Sequence, residues 1–317
     1  MSVDPSSAPD PAAAFETVRG LRVATPSSLH RLQGWLVRQA VKGLLPLRGA
    51  WPAVDVEPAP RTGRLSLELV SHCWNYSHLL ECQLGSLVAH PPREVDVQMT
   101  VYFSREDART TRLLERTAER QVPGVRWRWR ELPKGQLFRR SIGRNDAALR
   151  TTADWVWFTD CDVLFTEGCL DGLAASLQGR TDRLVHPATE WLTPLLPDEA
   201  IQGGSEPELR DVTDGLELAE VPVTRAKGPL QITHGDVARA AGYCRDVSAY
   251  QRAEPRFAKC HEDTAFRWLL GTPGVPVEVH GVTRIRHRSK GRYASDSAAG
   301  WIRGWVRRAQ DAVRHPG

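Results

Sequence analysis

The sequence predicts an α/β fold: a Rossmann-like, mostly parallel sheet with helices on both faces. Three observations predict it. Stretches rich in β-branched and aromatic residues take turns with stretches of helical periodicity from about residue 65 to residue 165. Their order is strand, helix, strand, helix, strand, helix, strand, the succession that builds parallel sheets covered on both sides. The fourth strand, "WVWFTDCDVLF" (155–165), runs straight into two carboxylates, Asp160 and Asp162. Ligands of open α/β sheets bind beyond the C-terminal ends of the strands, where this pair falls.

The elements follow in order. Residues 1–20 are rich in Pro, Ala and Ser and are expected to lack fixed structure. Residues 21–60 hold an amphipathic helix and a linker. The helix starts at Ser27 or Ser28 as N-cap and runs to Leu44, with Leu29, Leu32, Leu36, Val37, Ala40 and Val41 at helical spacing and Arg31, Arg38 and Lys42 making it basic. The linker is "WPAVDVEPAPRTGR". The α/β domain then spans residues 61–292. "LSLELVSHCW" opens it as a strand, "NYSHLLECQLGSLVAH" is a helix and "EVDVQMTVYF" a second strand. "REDARTTRLLERTAER" is a helix, "VRWRWREL" an alternating third strand, and "RRSIGRNDAALRTT" the helix before Trp155. Residues 187–229 lack periodicity and read as an excursion over the site. "DVARAAGY" and "HEDTAFRWLLG" are short helices, and "VPVEVHGVTRIRH" gives one or two strands. Residues 293–317 close the chain as a basic amphipathic helix.

Composition excludes several classes. A net charge of +4 over 317 residues makes no case for nucleic-acid binding. No uncharged apolar stretch reaches the length of a membrane span, and the start has no basic segment leading into an apolar one. The six cysteines form no C-x-x-C pair, so reduced thiols in a cytoplasmic protein are expected. The Arg-rich faces of the two terminal helices permit peripheral contact with the inner membrane surface, although packing on the domain is the plainer expectation.

Two adjacent anions at a strand end repel each other unless a cation, a set of Arg side chains or open water lies between them. Taken alone, such a pair is as often a solvated turn. Other elements stand at suggestive intervals: Arg144-Asn145 opening a helix, Ala153-Asp154 before the strand, Asp160-Cys161-Asp162 ending it, Gly242-Tyr243 at a turn, and Glu262-Asp263 opening a helix. Asn145 precedes Asp160 by 160 − 145 = 15 residues. In this pattern residues 65–287 resemble the glycosyltransferases of the GT-A fold, and family 2 in particular.

That resemblance implies a metal-dependent transferase moving a sugar from a nucleotide-sugar donor to the hydroxyl of a saccharide or lipid-linked acceptor, with inversion. A Mn²⁺ or Mg²⁺ ion would bridge the donor diphosphate, held by Asp160, Asp162 and His287, which stands 287 − 263 = 24 residues after Asp263. His261 and His280 compete for that last role. Asp263 would be the catalytic base, with Glu262 beside it. Asn75, Arg144, Asn145, Asp160, Arg288 and Lys290 would bind the donor or order its site, with Arg292 closing over the diphosphate. One departure concerns the nucleobase: the acid expected after the second strand is replaced by Tyr102-Phe103, where a stacking aromatic would substitute.

Each feature also has a plainer reading. Glu262-Asp263 suits any helix N-terminus, and Arg144-Asn145 suits a helix face and cap. "WFTDCDVLF" also satisfies the first motif of haloacid-dehalogenase-like phosphohydrolases, with Asp160 as nucleophile, although that motif normally opens its domain. A non-catalytic protein that binds a nucleotide sugar is the remaining alternative.

Overall fold

The computed structural model describes residues 10–21, 23–24, 27–256 and 261–287. The first elements are β1 (Phe15–Thr17), α1 (Ser28–Val41), β2 (Leu65–His72), α2 (Ser77–Ala89), β3 (Val95–Phe103), α3 (Ala108–Ala118) and β4 (Val125–Glu131). Next come α4 (Lys134–Leu137), α5 (Arg140–Arg150), β5 (Trp155–Phe158), β6 (Val163–Phe165), α6 (Cys169–Leu177), β7 (Leu184–Pro187) and β8 (Thr189–Leu196). The last are α7 (Asp198–Ile201), β9 (Ala219–Pro222), β10 (Gln231–His234), α8 (Gly235–Ala241), α9 (Glu262–Leu270), β11 (Val275–Val277) and β12 (Val282–His287).

The central sheet has the order β1-β4-β3-β2-β5-β10-β7-β11. Only β10 runs against its neighbours, β5 and β7, so the sheet is mainly parallel as the strand–helix succession predicts. Side-chain alternation sorts the core into two faces. Leu67, Leu69, Trp155 and Trp157 pack with Leu80 and Leu84 of α2, Leu113 of α3 and Leu173 of α6. The intervening Val70, Val156 and Phe158 pack with Val37 of α1, Ala148 of α5, Ala238 of α8 and Phe266 of α9. All four residues of β5 are buried, which is why that strand reads as a continuous apolar run.

A second sheet, β6-β12-β8-β9, starts with β6, which follows β5 after the turn at residues 159–162. It corrects the expectation for residues 187–229: the segment begins as β8, paired to β12 and β9, rather than as a wholly irregular excursion. Arginines tie down part of the rest. Arg109 and Arg210 bind the fully buried Glu81 of α2, and Arg109 donates to Gly204 O at 2.8 Å.

The expectation for residues 1–20 also changes. Residues 15–17 add a parallel strand to the edge of β4. Glu16 lies opposite Arg130 and pairs with it and with Arg128, so two of the three alternating arginines of "VRWRWR" recruit an acidic strand, while Arg126 stays exposed. Helix α1 stops at Val41, one turn short of Leu44, and Ser27 hydrogen-bonds His30 Nδ1 at 3.2 Å without capping the backbone. The C-terminal helix expected over residues 293–317 lies outside the described residues. Cys73, Cys82, Cys161, Cys169 and Cys244 are buried.

Candidate active site

The two acids do not sit on a strand. After β5 the chain turns through Thr159–Asp162 before β6 begins. Backbone bonds fix this turn. The buried Gln83 amide donates to the carbonyls of Asp160 and Val163, each at 2.8 Å, and Ile285 N–H donates to Asp162 O at 2.8 Å. Cys161 points inward, its thiol donating to His72 O at 3.2 Å. The main chain of the turn is thus held by Gln83, Ile285 and Cys161.

Asp160 faces arginines. Its Oδ1 accepts from Arg140 Nη1 at 2.5 Å and from Arg144 Nη2 at 3.2 Å. Arg144 is fully buried and also donates to Tyr243 Oη at 2.9 Å and Thr159 O at 3.1 Å. Despite burial, which opposes its charge, Arg144 is held more firmly protonated than an ordinary arginine, because Tyr243, Asp160 and Glu262 lie close. Asn145 accepts the Tyr243 backbone N–H at 2.9 Å. Gly242, at φ 62°, leaves no room for a side chain, since a Cβ there would stand 2.3 Å from Asn145 Oδ1. The Arg-Asn and Gly-Tyr elements therefore grip each other.

The chain of contacts continues to the third acidic element. Tyr243 Oη donates to Gln231 Oε1 at 2.7 Å, and Gln231 Nε2 donates to Asp263 O at 3.0 Å. Burial pushes the Tyr243 hydroxyl well above the usual phenol range, keeping it a neutral donor in this relay. Glu262 is buried, with Arg140 Nε 3.7 Å from its Oε1, so Arg140 stands between the Asp160 turn and the start of α9. The Asp263 side chain is 31% exposed and lies 3.9 Å from Arg267 Nη1, an i,i+4 neighbour.

On the other side of the turn, His287 at the end of β12 brings Nε2 to 3.9 Å from Asp162 Oδ2 and sets its ring edge-on to Tyr76. His261 and His280 are exposed, so His287 is the histidine that meets this acid. Asn75, exposed in the loop after β2, takes a left-handed conformation with φ 54° and donates its backbone N–H to Asp107 Oδ2 at 2.7 Å. Arg288, Lys290 and Arg292 lie outside the described residues.

Two expectations are corrected by this geometry. Tyr102 and Phe103 are buried; Tyr102 stacks on His72 with centroids 4.9 Å apart and donates to Asp146, so neither ring is open to a nucleobase. The acid that follows β3 in space is Asp107, which caps α3 by accepting from Thr110 N at 3.2 Å. Asp154 lies at the opposite end of β5, accepting from Ser66 N and Oγ, each at 2.8 Å, and so pins two strands together. Finally, Asp160, Asp162 and His287 do not converge as a trio: no group of three or more His, Cys, Asp or Glu is placed to hold a metal ion among the described residues. Arg144 and Asn145 here order the site from within.

Sequence reading missed Arg140 and His72. Arg140 was legible, since it stands four residues before Arg144 and so on the same helix face. His72 carries no local signal. Its ring is buried between Tyr102 and Gly143, and burial, followed by Arg144 and Arg140, holds it well below the usual imidazole range.

No known family profile matches the chain, and no curated protein matches it. Among solved structures it is similar to the mannosyltransferase PcManGT from Pyrobaculum calidifontis in complex with GDP-Man and Mn²⁺, at 17% identity over 91% of this chain and 74% of that one, with a TM-score of 0.42. It is also similar to residues 1–349 of S. aureus TarS, at 14% identity over 78% of this chain and 66% of that one, with a TM-score of 0.38. For the same TarS segment in complex with UDP-GlcNAc the values are 13%, 74%, 61% and 0.43.

Proposed function

We propose that this chain is a glycosyltransferase that moves a sugar from a nucleotide-diphosphate donor to an acceptor hydroxyl. The observation that carries this reading is the linkage of four sequence-distant elements at one end of the sheet. Asp160 binds Arg144, Arg144 binds Tyr243, Tyr243 binds Gln231, and Gln231 binds the Asp263 main chain. Helix caps and solvated turns give no reason for such a relay.

Residues present fit a divalent cation in a limited way. Two neighbouring ligands of one octahedral ion at about 2.1 Å each stand about 3 Å apart. Asp162 Oδ2 and His287 Nε2 stand 3.9 Å apart, so a small closure makes them a pair of ligands. A carboxylate and an imidazole suit Mn²⁺ better than Mg²⁺, and phosphate oxygens would supply the other positions. The ion would offset negative charge gathering on the leaving diphosphate. Asp160 and Asn75 would hold the nucleoside. Asp263, partly open to solvent, would accept the proton of the acceptor hydroxyl as that oxygen attacks the sugar carbon; an attack from the face opposite the diphosphate inverts the centre.

The acceptor reading is a saccharide or lipid-linked saccharide at a membrane surface. Leu29, Leu32 and Trp35 of α1 are 71%, 53% and 48% exposed, beside Arg31, Arg38 and Lys42. No helix among the described residues is long and apolar enough to cross a membrane.

The test is a screen of nucleotide sugars, headed by GDP-mannose and UDP-GlcNAc, for a rise in melting temperature that requires Mn²⁺. Asp162→Asn is expected to abolish the metal-dependent rise while keeping the fold. Equal stabilisation of both proteins, with or without chelator, would refute it. Mg²⁺-dependent hydrolysis of simple phosphate monoesters, lost in Asp160→Asn, would instead make this a phosphohydrolase.

A further inference from the structure

We propose that Arg140 is a positioning residue that makes the divalent cation and the nucleotide bind together, by keeping a bare cation away from the Asp160–Asp162 turn until a diphosphate arrives. The inference rests on the glycosyltransferase reading above and adds an order of binding to it.

Arg140 is the first residue of α5 and reaches two acids that belong to different elements. Its Nη1 lies 2.5 Å from Asp160 Oδ1 and its Nε 3.7 Å from Glu262 Oε1. Arg144, one turn along the helix, sits behind it on the same Asp160 oxygen at 3.2 Å. Two guanidinium groups thus face two carboxylates, and the set is neutral before any ligand enters. A divalent cation arriving alone meets one further carboxylate, Asp162, and so brings a surplus of positive charge up to two arginines. A diphosphate brings the missing negative charge, and the two ligands then assist each other.

Arg140 is not free to swing away and make room. The Glu262 side chain is only 1% exposed, and drawing a cation away from a buried carboxylate weakens its compensation where water cannot replace it. The guanidinium therefore stays, and neutrality is restored from the ligand side. Its shape matters as well as its charge. Nη1 serves Asp160 while Nε faces Glu262, two separated donors that a lysine ammonium cannot supply. The arrangement also places one cation where an anionic diphosphate will approach, so Arg140 favours nucleotide and disfavours bare metal.

Such coupling is reciprocal: whatever factor the nucleotide adds to metal affinity, the metal adds to nucleotide affinity. Titration calorimetry of Mn²⁺ and of the two nucleoside diphosphates UDP and GDP, each alone and each with the other present, reads it directly. In the native protein, Mn²⁺ and the nucleotide that binds should tighten each other by about tenfold or more. In Arg140→Met, Mn²⁺ alone should bind about tenfold tighter and nucleotide alone about tenfold weaker, with the mutual gain reduced. Opposite signs distinguish this role from a structural one, in which both ligands lose. Arg140→Lys, which keeps the charge and loses the second donor, should fall between; if Arg140→Met does not fold, the same two signs are read in Arg140→Lys. Mn²⁺ binding alone that is no tighter in the variants, while the native protein binds nucleotide with Mn²⁺, overturns the proposal and leaves the transferase reading standing. A native protein that binds neither nucleotide, with or without Mn²⁺, overturns both.

Discussion

Asp263, the second residue of helix α9, holds its carboxylate partly in solvent, 3.9 Å from Arg267. A base that acts only on the acceptor proton works in the transition state, so its loss lowers kcat and spares donor binding. Asp263→Asn is expected to bind donor and metal as before and to transfer sugar about 10²- to 10⁴-fold more slowly. A helix-terminal charge alone would cost under about 1 kcal/mol of stability and leave turnover intact. Steady-state kinetics beside donor titration separates the two, and near-native turnover would shift the base to Glu262. At this scale the sequence was informative about acids and poor about their partners. Asp160, Asp162, Glu262 and Asp263 stand out by type and spacing, whereas the Arg140 bridge joins residues 140, 160 and 262 across folds of chain that no local pattern reports.

Helix α5 shows how an element is bound to its site through one missing side chain. Gly143 normally invites replacement by Ala, which gains up to about 1 kcal/mol in a helix interior. Here a Cβ would stand 2.2 Å from His72 Nε2 and 2.9 Å from the Tyr102 ring, both buried and stacked on each other. Overpacking wins, and Gly143→Ala should destabilise by roughly 1–3 kcal/mol in chemical denaturation. Adding His72→Ala should recover part of that loss; a stabilising Gly143→Ala would show that the rings yield freely. Helix α1 is tied down on one side only, through Gly34, Val37 and Ala40, and leaves Leu29, Leu32 and Trp35 outward. Sedimentation with vesicles containing phosphatidylglycerol should capture the protein, and those of phosphatidylcholine alone should not. Replacing Leu32 and Trp35 by Ser should weaken the capture about tenfold or more at unchanged melting temperature, given 1.5–3 kcal/mol for each large apolar side chain. Capture that survives both replacements would place the contact elsewhere. The long periodic helices and the first strands were legible in order and type. Strands β6, β7 and β10, of 3, 4 and 4 residues and wholly buried, were not, because so short an apolar run displays no period.

Across the whole molecule, three buried histidines share one direction of shift. Burial holds His72 well below the usual imidazole range, and His186 and His234 also lie below it, burial again being the largest cause. Unfolding lets each take up a proton near pH 6.5 that the folded state refuses. Their contribution is therefore complete above about pH 6.5 and is lost as pH falls from there toward the folded-state values. Melting temperature should drop on acidification from pH 7.5 to 5.5, and the drop should be smaller in His72→Phe, whatever that variant's offset at pH 7.5. Equal drops would remove His72 from the account. The fold class was legible because parallel strands buried on both faces read as apolar runs separated by helices. The second sheet was not, since its pairing of β8 with β12 spans about ninety residues, and β9, four residues long and largely exposed, is too short to show a period.

The inward-facing thiols give this protein a built-in clock. Cys73, Cys82, Cys161, Cys169 and Cys244 are all 4% exposed or less, and burial pushes the Cys82 thiol up to about 12. Reagents attack the thiolate, so these five thiols should be nearly silent to them in the folded chain, and each sulfur should react only as its own surroundings open. With Cys260 replaced by Ser, the order of modification becomes a map of opening events. Cys161, in the turn between the two acids, would time the site, and Cys169, at the start of α6, would time the far flank of the sheet.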